Sequence, residues 1–337
     1  MPGIDKNSWD QLSELIQKNQ SILLSTHINA DGDGLGSEIA FYYYLKGIGK
    51  ECRIVNASSL GYNYAVIDPE KVVETYNIKA DDWLAVVDLT IVFDIGDHRR
   101  IGQIGDHVYG NSTVVSIDHH PARKDHPYTL NIVDASAPAT GYMIWKYFQH
   151  IHYADKKLPI IVANALYASV VTDTASFKYQ STTSDTHYMA AHLIESGVDG
   201  YDIQRSIYEQ RKLSFVKLMG AVIQTLQYSS NGKVIWTVVT QEMIHNAGGT
   251  EEDVDGFTEF IRMVDGVEIS FMILEKPDGS HRISFRSSGN YIINDVAQSF
   301  DGGGHKFAAG ARISKMSTED IQQEIKKQLA EKIPGEF

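Results

Sequence analysis

The sequence predicts an α/β protein of two domains, the first built on a parallel sheet and the second a smaller α/β unit. Three observations predict this. Over the first two-thirds of the chain, short apolar runs alternate with helical patterns, the βαβ rhythm of a parallel sheet. Several of those runs end in a carboxylate or lead into a polar loop. From about residue 211 the pattern changes to strands that alternate with fewer helices.

The elements follow in order. SILLSTH, residues 21–27, reads as a buried strand, and the loop THINADGDGLGS after it runs into a helix, LGSEIAFYYYLKGIG. CRIVN, WLAVVD (83–88) and TVVSID (113–118) read as further buried strands, the last two ended by Asp88 and Asp118. A helix from about Leu158 runs through VANALYASVV into Thr172-Asp173-Thr174, and a second covers about 183–195. Residues 195–200, ESGVDG, read as the start of a linker. Then come the strands KVIWTVVT, VEISFMILE and HRISFRS, the segment GGGHKFAAG, and a closing helix rich in Lys and Glu. The expected boundaries are 1–196 for the first domain, 197–210 for the linker and 211–337 for the second domain.

Composition narrows the function classes. The chain has 337 residues and a net charge of −13. That balance disfavours coating long nucleic acid, which needs a basic surface. It does not exclude a small phosphate substrate, because bound divalent cations reverse the local sign. No apolar run reaches the roughly 18 residues of a membrane span. The N-terminal stretch lacks the apolar centre of a secretion signal. The single cysteine, Cys52, rules out an internal disulfide framework, and a cytoplasmic location is expected.

Parallel sheets place their sites beyond the carboxyl ends of the strands. The 26–37 loop with His27, Asp31 and Asp33, the strand-ending Asp88 and the Asp118-His119-His120 run are therefore expected to converge on one edge. The loop is not a calcium hand. Counted from Asp31, the fifth position is Leu35 and the twelfth is Tyr42, where oxygen ligands are needed. Nor is it a phosphate-binding P-loop, since no Gly-Lys-Ser/Thr closes it. In the second domain, the three glycines 302–304 can expose backbone N–H groups to an anion. His305 follows them, and Arg286 and Ser287 end the strand before.

A His-x3-Asp-x-Asp loop, a strand-ending Asp, an Asp-His-His and a Thr-Asp-Thr in that order resemble the DHH phosphoesterases. GGGH with Ala308, Ala309 and Gly310 resembles the DHHA1 domain that accompanies one subfamily, and the layout is most similar to its nanoRNase/pAp-phosphatase branch. That branch degrades very short RNA and removes the 3′-phosphate of 3′-phosphoadenosine 5′-phosphate (pAp). The resemblance implies a cleft between a DHH domain and a DHHA1 domain. It implies two manganese ions, with other divalent cations admitted. His27, Asp31 and Asp88 would hold one; Asp33, Asp88, His119 and Asp173 would hold the other, with Asp88 shared. It also implies attack by a water held between the metals. Asp118 would orient a histidine, His120 would face the substrate phosphate, and Arg286, Ser287, Gly302, Gly303, Gly304 and His305 would grip the far end of the substrate. Implied partners are short RNA and pAp, with no long duplex and no membrane; a homodimer is compatible with this reading. Two competing readings stay open: a soluble phosphodiesterase for cyclic or linear dinucleotides, and a non-catalytic nucleotide-binding regulator. The sequence departs from the family in one respect. Members often carry an Arg within about ten residues after the second-motif Asp, whereas from Asp88 the spacing to Arg99 or Arg100 is longer. Asp94, Asp97 and His98 are expected to be loop residues.

Overall fold

The chain divides into two compact units, Met1–Gln210 and Arg211–Phe337; the computed structural model describes residues 4–121 and 125–337. In the first unit six strands, β1 (Ser21–Ser25), β2 (Glu51–Asn56), β3 (Val73–Thr75), β4 (Leu89–Phe93), β5 (Thr113–Asp118) and β6 (Leu130–Val133), form a sheet in the order β3-β2-β1-β4-β5-β6. Every pairing in it is parallel. The helices are α1 (Lys6–Lys18), α2 (Gly32–Gly47), α3 (Asp81–Leu84), α4 (Ile104–Val108), α5 (Thr140–His150), α6 (Ile160–Asp173), α7 (Ser184–Glu195) and α8 (Gly200–Gln204).

The sheet is buried on both faces, as the short uninterrupted apolar runs require. Successive residues of a strand point to opposite faces. Ile22, Leu24, Ile54, Ile91 and Phe93 accordingly enter one core with α2, α5 and α6. Leu23, Val55 and Val92 enter another with Leu84, Ile104 and Val108 of α3 and α4.

Two expectations are corrected. WLAVVD is not a strand: Asp81–Leu84 form a helical turn, Ala85 and Val86 are exposed, and β4 is the next run, LTIVF. Its Thr, Ile, Val and Phe fit a pleated buried surface better than Leu-Ala do. Nor do residues 197–210 behave as a free linker. They form α8 and a π-helical turn, Arg205–Glu209, and Ile203 and Ile207 are buried in the first unit's core.

Helix α2 is buried from Gly32 to Phe41, and its glycines permit this. A Cβ at Gly36 would lie 2.3 Å from the Ala165 carbonyl oxygen of α6, and one at Gly34 would lie 2.2 Å from Thr26 Oγ1. Close helix approach is thus built into the DGDGLG segment.

The second unit contains β7 (Gln227–Tyr228), β8 (Val234–Val239), β9 (Ile269–Glu275), β10 (His281–Ser287), β11 (Gly303–His305) and β12 (Ala308–Ile313), ordered β11-β12-β10-β9-β8-β7. Only β8 and β9 pair in parallel. Its helices are α9 (Leu213–Gln224), α10 (Gln241–Ala247), α11 (Phe257–Arg262), α12 (Asn294–Gln298) and α13 (Thr318–Lys332). One sheet face packs on α12 and α13 through Phe271, Phe285, Val296, Ile321 and Leu329, the other on α9 and α10 through Met272, Leu274, Leu218 and Ile244. Among the described residues no helix is long and apolar enough to cross a membrane.

Gly36→Ala is expected to destabilise the first unit by about 1–3 kcal/mol, since the methyl meets a backbone carbonyl rather than a flexible side chain. Gly220→Ala, in α9 where nothing lies within 4 Å, is expected to leave stability unchanged or raise it by about 0.5–1 kcal/mol. Calorimetric melting of the two variants checks the contrast.

Candidate metal centre

The site is assembled at the carboxyl edge of the first sheet. His27 lies two residues past the end of β1, Asp94 follows β4 directly, and Asp118 ends β5, with His119 and His120 next. Asp31 caps α2: its Oδ1 accepts from Asp33 N (2.9 Å) and Gly34 N (3.3 Å). Asp33 lies in the first turn of α2, where a carboxylate is favoured by the helix dipole. It is fully buried and accepts from Thr140 N (2.7 Å) and Gly141 N (3.0 Å), at the start of α5, and from Ser169 Oγ (2.5 Å) of α6. Asp173 is the last residue of α6.

Asp94 is the hub. Its Oδ2 lies 3.6 Å from His27 Nε2, and its Oδ1 lies 3.4 Å from His119 Nε2 and 3.3 Å from His120 Nδ1. Around it, His27 Nε2 is 3.8 Å from Asp31 Oδ2, and His119 Nε2 is 3.3 Å from Asp173 Oδ2 and 3.7 Å from Asp33 Oδ2. Asp94 has φ +53°, a left-handed conformation that Asp tolerates better than most residues and that turns its carboxylate back over the sheet edge.

This overturns the expectation for Asp88. Asp88 precedes β4 instead of ending it, and its Oδ2 accepts from Ser21 N at the amino end of β1 (3.1 Å). A five-residue strand spans about 17 Å, so Asp88 stands at the far end of the sheet and Asp94 occupies the position expected for it. The sequence did hold a signal. From Asp94, Arg99 and Arg100 follow at five and six residues, so the departure in Arg spacing disappears once the register is corrected. Sequence reasoning also missed Thr140, Gly141 and Ser169, whose donors fix Asp33. No local motif announces such long-range contacts.

The donor set fits divalent cations. His27, Asp31 and Asp94 each offer one atom within 4.8 Å of the others, as do Asp33, Asp94 and His119. The ring orientations agree. His27 Nδ1 faces the Ile28 carbonyl at 2.9 Å and His119 Nδ1 the Ala137 carbonyl at 3.2 Å. A carbonyl can only accept, so each Nδ1 carries hydrogen and each Nε2 faces the carboxylates, the arrangement of a ligating imidazole.

Charge crowding points the same way. Burial, then the Asp94 and Asp173 charges, push the Asp33 carboxyl well above its ordinary range. Burial is also the main cause for Asp173, pushed up to about 7. Burial and the Arg100 charge oppose protonation of His27, yet Asp31 and Asp94 outweigh them and push it up to about 9. Burial likewise opposes protonation of His119, but Asp173, Asp94 and Asp33 raise it well above the ordinary value.

Asp118 serves His120. Its Oδ1 accepts from His120 N (2.8 Å) and lies 2.8 Å from His120 Nδ1, and its Oδ2 accepts from Gly96 N (2.6 Å). Burial works against a proton on His120, but Asp118 and Asp94 push it up to about 9. Gly96 has φ +63°, and a Cβ there would meet the His120 ring at 3.1 Å.

In the second unit Gly302–His305 leads into a hairpin. Gly303–His305 form β11, an edge strand that pairs with β12 across Lys306 and Phe307. A Cβ at Gly302 would lie 2.2 Å from the Gly310 oxygen, and one at Gly304 would lie 2.5 Å from the Ala308 oxygen, so both glycines are required by the hairpin itself. Gly303 has open space beside it. Arg286 is paired with Glu259, and Ser287 is buried, its N–H donating to Phe307 O at 2.8 Å.

Comparison with known proteins gives consistent findings. The DHH family, N-terminal domain, matches residues 21–170, and the DHHA1 domain matches residues 231–331. The chain is 27% identical over 318 residues to the bifunctional oligoribonuclease and PAP phosphatase NrnA of Thermus thermophilus, covering 93% of this chain and 90% of that protein. It is 28% identical over 309 residues to the protein of the same name from Bacillus subtilis, covering 90% and 92%. A crystal structure of an exopolyphosphatase-related protein from Bacteroides fragilis shares the fold, with a TM-score of 0.89 at 22% identity over 98% of each chain.

Two outcomes are expected. Asp94→Asn is expected to lose most bound manganese and activity, whereas Asp88→Asn keeps an oxygen that can accept from Ser21 N and is expected to leave both near wild type; metal analysis and turnover of both variants decide this. The second concerns protons. The ordinary pKa of His27 is 6.5 and, against burial, the Asp31 and Asp94 carboxylates raise it to about 9. The stability its charge contributes is therefore fully present below pH 6.5 and is lost as pH rises through about 9. Cations take the neutral ring, so binding between those limits must release protons and tighten as pH rises. Calorimetric manganese titrations at pH 7.5 in buffers of different ionisation enthalpy should show that release.

Proposed function

This chain belongs to the DHH family and carries a DHHA1 second domain, and on that premise we propose that it is a phosphoester hydrolase acting on short RNA and on the 3′-phosphate of pAp. The observation that carries the reading is Asp94 within reach of His27, His119 and His120 at one sheet edge. The two relatives named for these activities match over nearly their full length. In this reading His27, Asp31 and Asp94 would hold one manganese ion, and Asp33, Asp94, His119 and Asp173 would hold a second. Cations so bound supply Lewis-acid activation of water and of a phosphoryl oxygen.

The protein's own groups supply the rest. Three donors fix Asp33 and two carbonyls fix the imidazoles, so the ligands need little rearrangement when a cation arrives. Asp118 favours a proton on His120. Asp118 holds the His120 Nδ1, and in this reading the Nε2–H is the donor to a phosphoryl or leaving oxygen. Gly96 keeps the space beside that ring clear. Arg286, Ser287, Gly302, Gly303, Gly304 and His305 are proposed substrate contacts of the DHHA1 domain; for Arg286 this requires exchanging Glu259 for phosphate. The chain's acidity favours a short substrate over a long one.

The test is a manganese-dependent hydrolysis panel of pAp, RNA of two to twenty-four nucleotides, cyclic dinucleotides and a generic phosphatase substrate. Dinucleotides to pentanucleotides and pAp should be cleaved much faster than the 24-mer. Equal rates for short and long RNA, or activity confined to cyclic dinucleotides, contradict the reading. Loss of a charge-assisted phosphate contact typically costs about 1.5–3 kcal/mol. His305→Ala and Arg286→Ala should therefore lower kcat/KM for short RNA about ten- to hundredfold while sparing the generic substrate and the metal content.

A further inference from the structure

Behind the candidate metal centre lies a hydrogen-bonded line that the proposed chemistry does not use. It begins at Glu38, on α2, which is fully buried. Glu38 Oε1 accepts from Asn56 Nδ2 at 2.6 Å. Asn56, at the end of β2 and also fully buried, accepts through Oδ1 from Thr26 N (3.1 Å) and Ser25 Oγ (3.2 Å). Thr26 Oγ1 in turn donates to the Phe93 carbonyl at 2.8 Å. Thr26 immediately precedes His27, and Phe93 immediately precedes Asp94. The line therefore runs from α2 through β2 to the two strand ends that carry the hub carboxylate and one of its imidazoles.

We propose that Glu38 is a positioning residue for the cation position formed by His27, Asp31 and Asp94, acting through Asn56 and Thr26. The inference rests on reading those three residues as cation ligands. Three observations support it. A carboxyl group is costly to bury fully, and in this helix an apolar residue would fill the position without that cost. Its Oε2 is buried with no hydrogen-bond partner among the described residues, so the group is not present for a self-contained structural network. Asn56 needs an acceptor for Nδ2 if its Oδ1 is to stay fixed on Thr26 N, and Glu38 Oε1 supplies it. Burial pushes the Glu38 carboxyl well above its ordinary range. Gln keeps the shape and an oxygen that can accept from Asn56 Nδ2, and Ala keeps neither.

Manganese titration of the full-length chain tests this, by calorimetry, with melting temperatures recorded in parallel. Wild type is measured first: if it binds no manganese, the reading of the metal centre fails, and the proposal with it. Glu38→Ala and Asn56→Ala are expected to weaken one class of manganese site about tenfold, the scale typical of lost support behind a ligand. Glu38→Gln is expected to stay within about twofold of wild type. Leu45→Ala, on the same helix and fully buried but outside the line, is the control: it should lower the melting temperature and leave both affinities unchanged. If Glu38→Ala does not fold, Asn56→Ala against Glu38→Gln carries the same comparison. The proposal is overturned if manganese affinity survives in Glu38→Ala or Asn56→Ala, if Glu38→Gln loses as much as Glu38→Ala, or if Leu45→Ala weakens binding equally.

Discussion

The buried carboxylate of Asp94 sets the terms for the first unit. It stands among Asp31, Asp33, Asp118 and Asp173 on one side and His27, His119 and His120 on the other, largely shielded from water. Like charges at such distances in a poorly screened interior are strongly unfavourable unless positive charge is shared among them. The imidazoles of His119, His120 and His27 meet part of that need, holding Asp94 well below the usual carboxylate range against its burial. Divalent cations meet it with more charge and no proton. The demand for positive charge and the capacity to bind cations are thus one physical fact.

The fold serves this constraint at several removes. A parallel sheet gathers strand ends on a single edge, which brings together residues as distant in sequence as His27 and Asp118. The glycines of α2 let that helix lie against α6 and Thr26, so that Asp33 meets Ser169 and the first N–H groups of α5. Had α2 stood off by the width of a methyl group, those three donors would not reach. The stiffness of the site therefore comes from helix packing, while its chemistry comes from the loops.

Much of this was legible in the sequence. The DGDG loop, the DHH run and the Asp at the end of α6 stand out by residue type and spacing, and the structure brings His27, Asp33, His119 and Asp173 close around Asp94; the ligand role of Asp173 comes from the family resemblance. The second-motif aspartate was misread for a physical reason. WLAVVD and LTIVFD are tandem apolar runs, each closed by Asp, and periodicity does not say which one enters the sheet. What decides it is tertiary: the Leu89–Phe93 run is buried at every residue, whereas Ala85 and Val86 lie in water. The sequence alone does not show that two of the three glycines of GGGH are also needed for a hairpin to close. The linker reading failed because Ile203 and Ile207 are spaced as a helical pair within a polar stretch too short to show its period. The Glu38–Asn56–Thr26 line left no trace in the sequence, since its members are far apart and each is unremarkable alone.

The most direct test of the shared role of Asp94 is anomalous diffraction from manganese-soaked crystals of the full-length protein. Two manganese peaks are expected, one on the Oδ2 side of Asp94 facing His27 and Asp31 and one on the Oδ1 side facing His119. Peaks that leave Asp94 uncoordinated, or a manganese held by Asp88, would contradict the account.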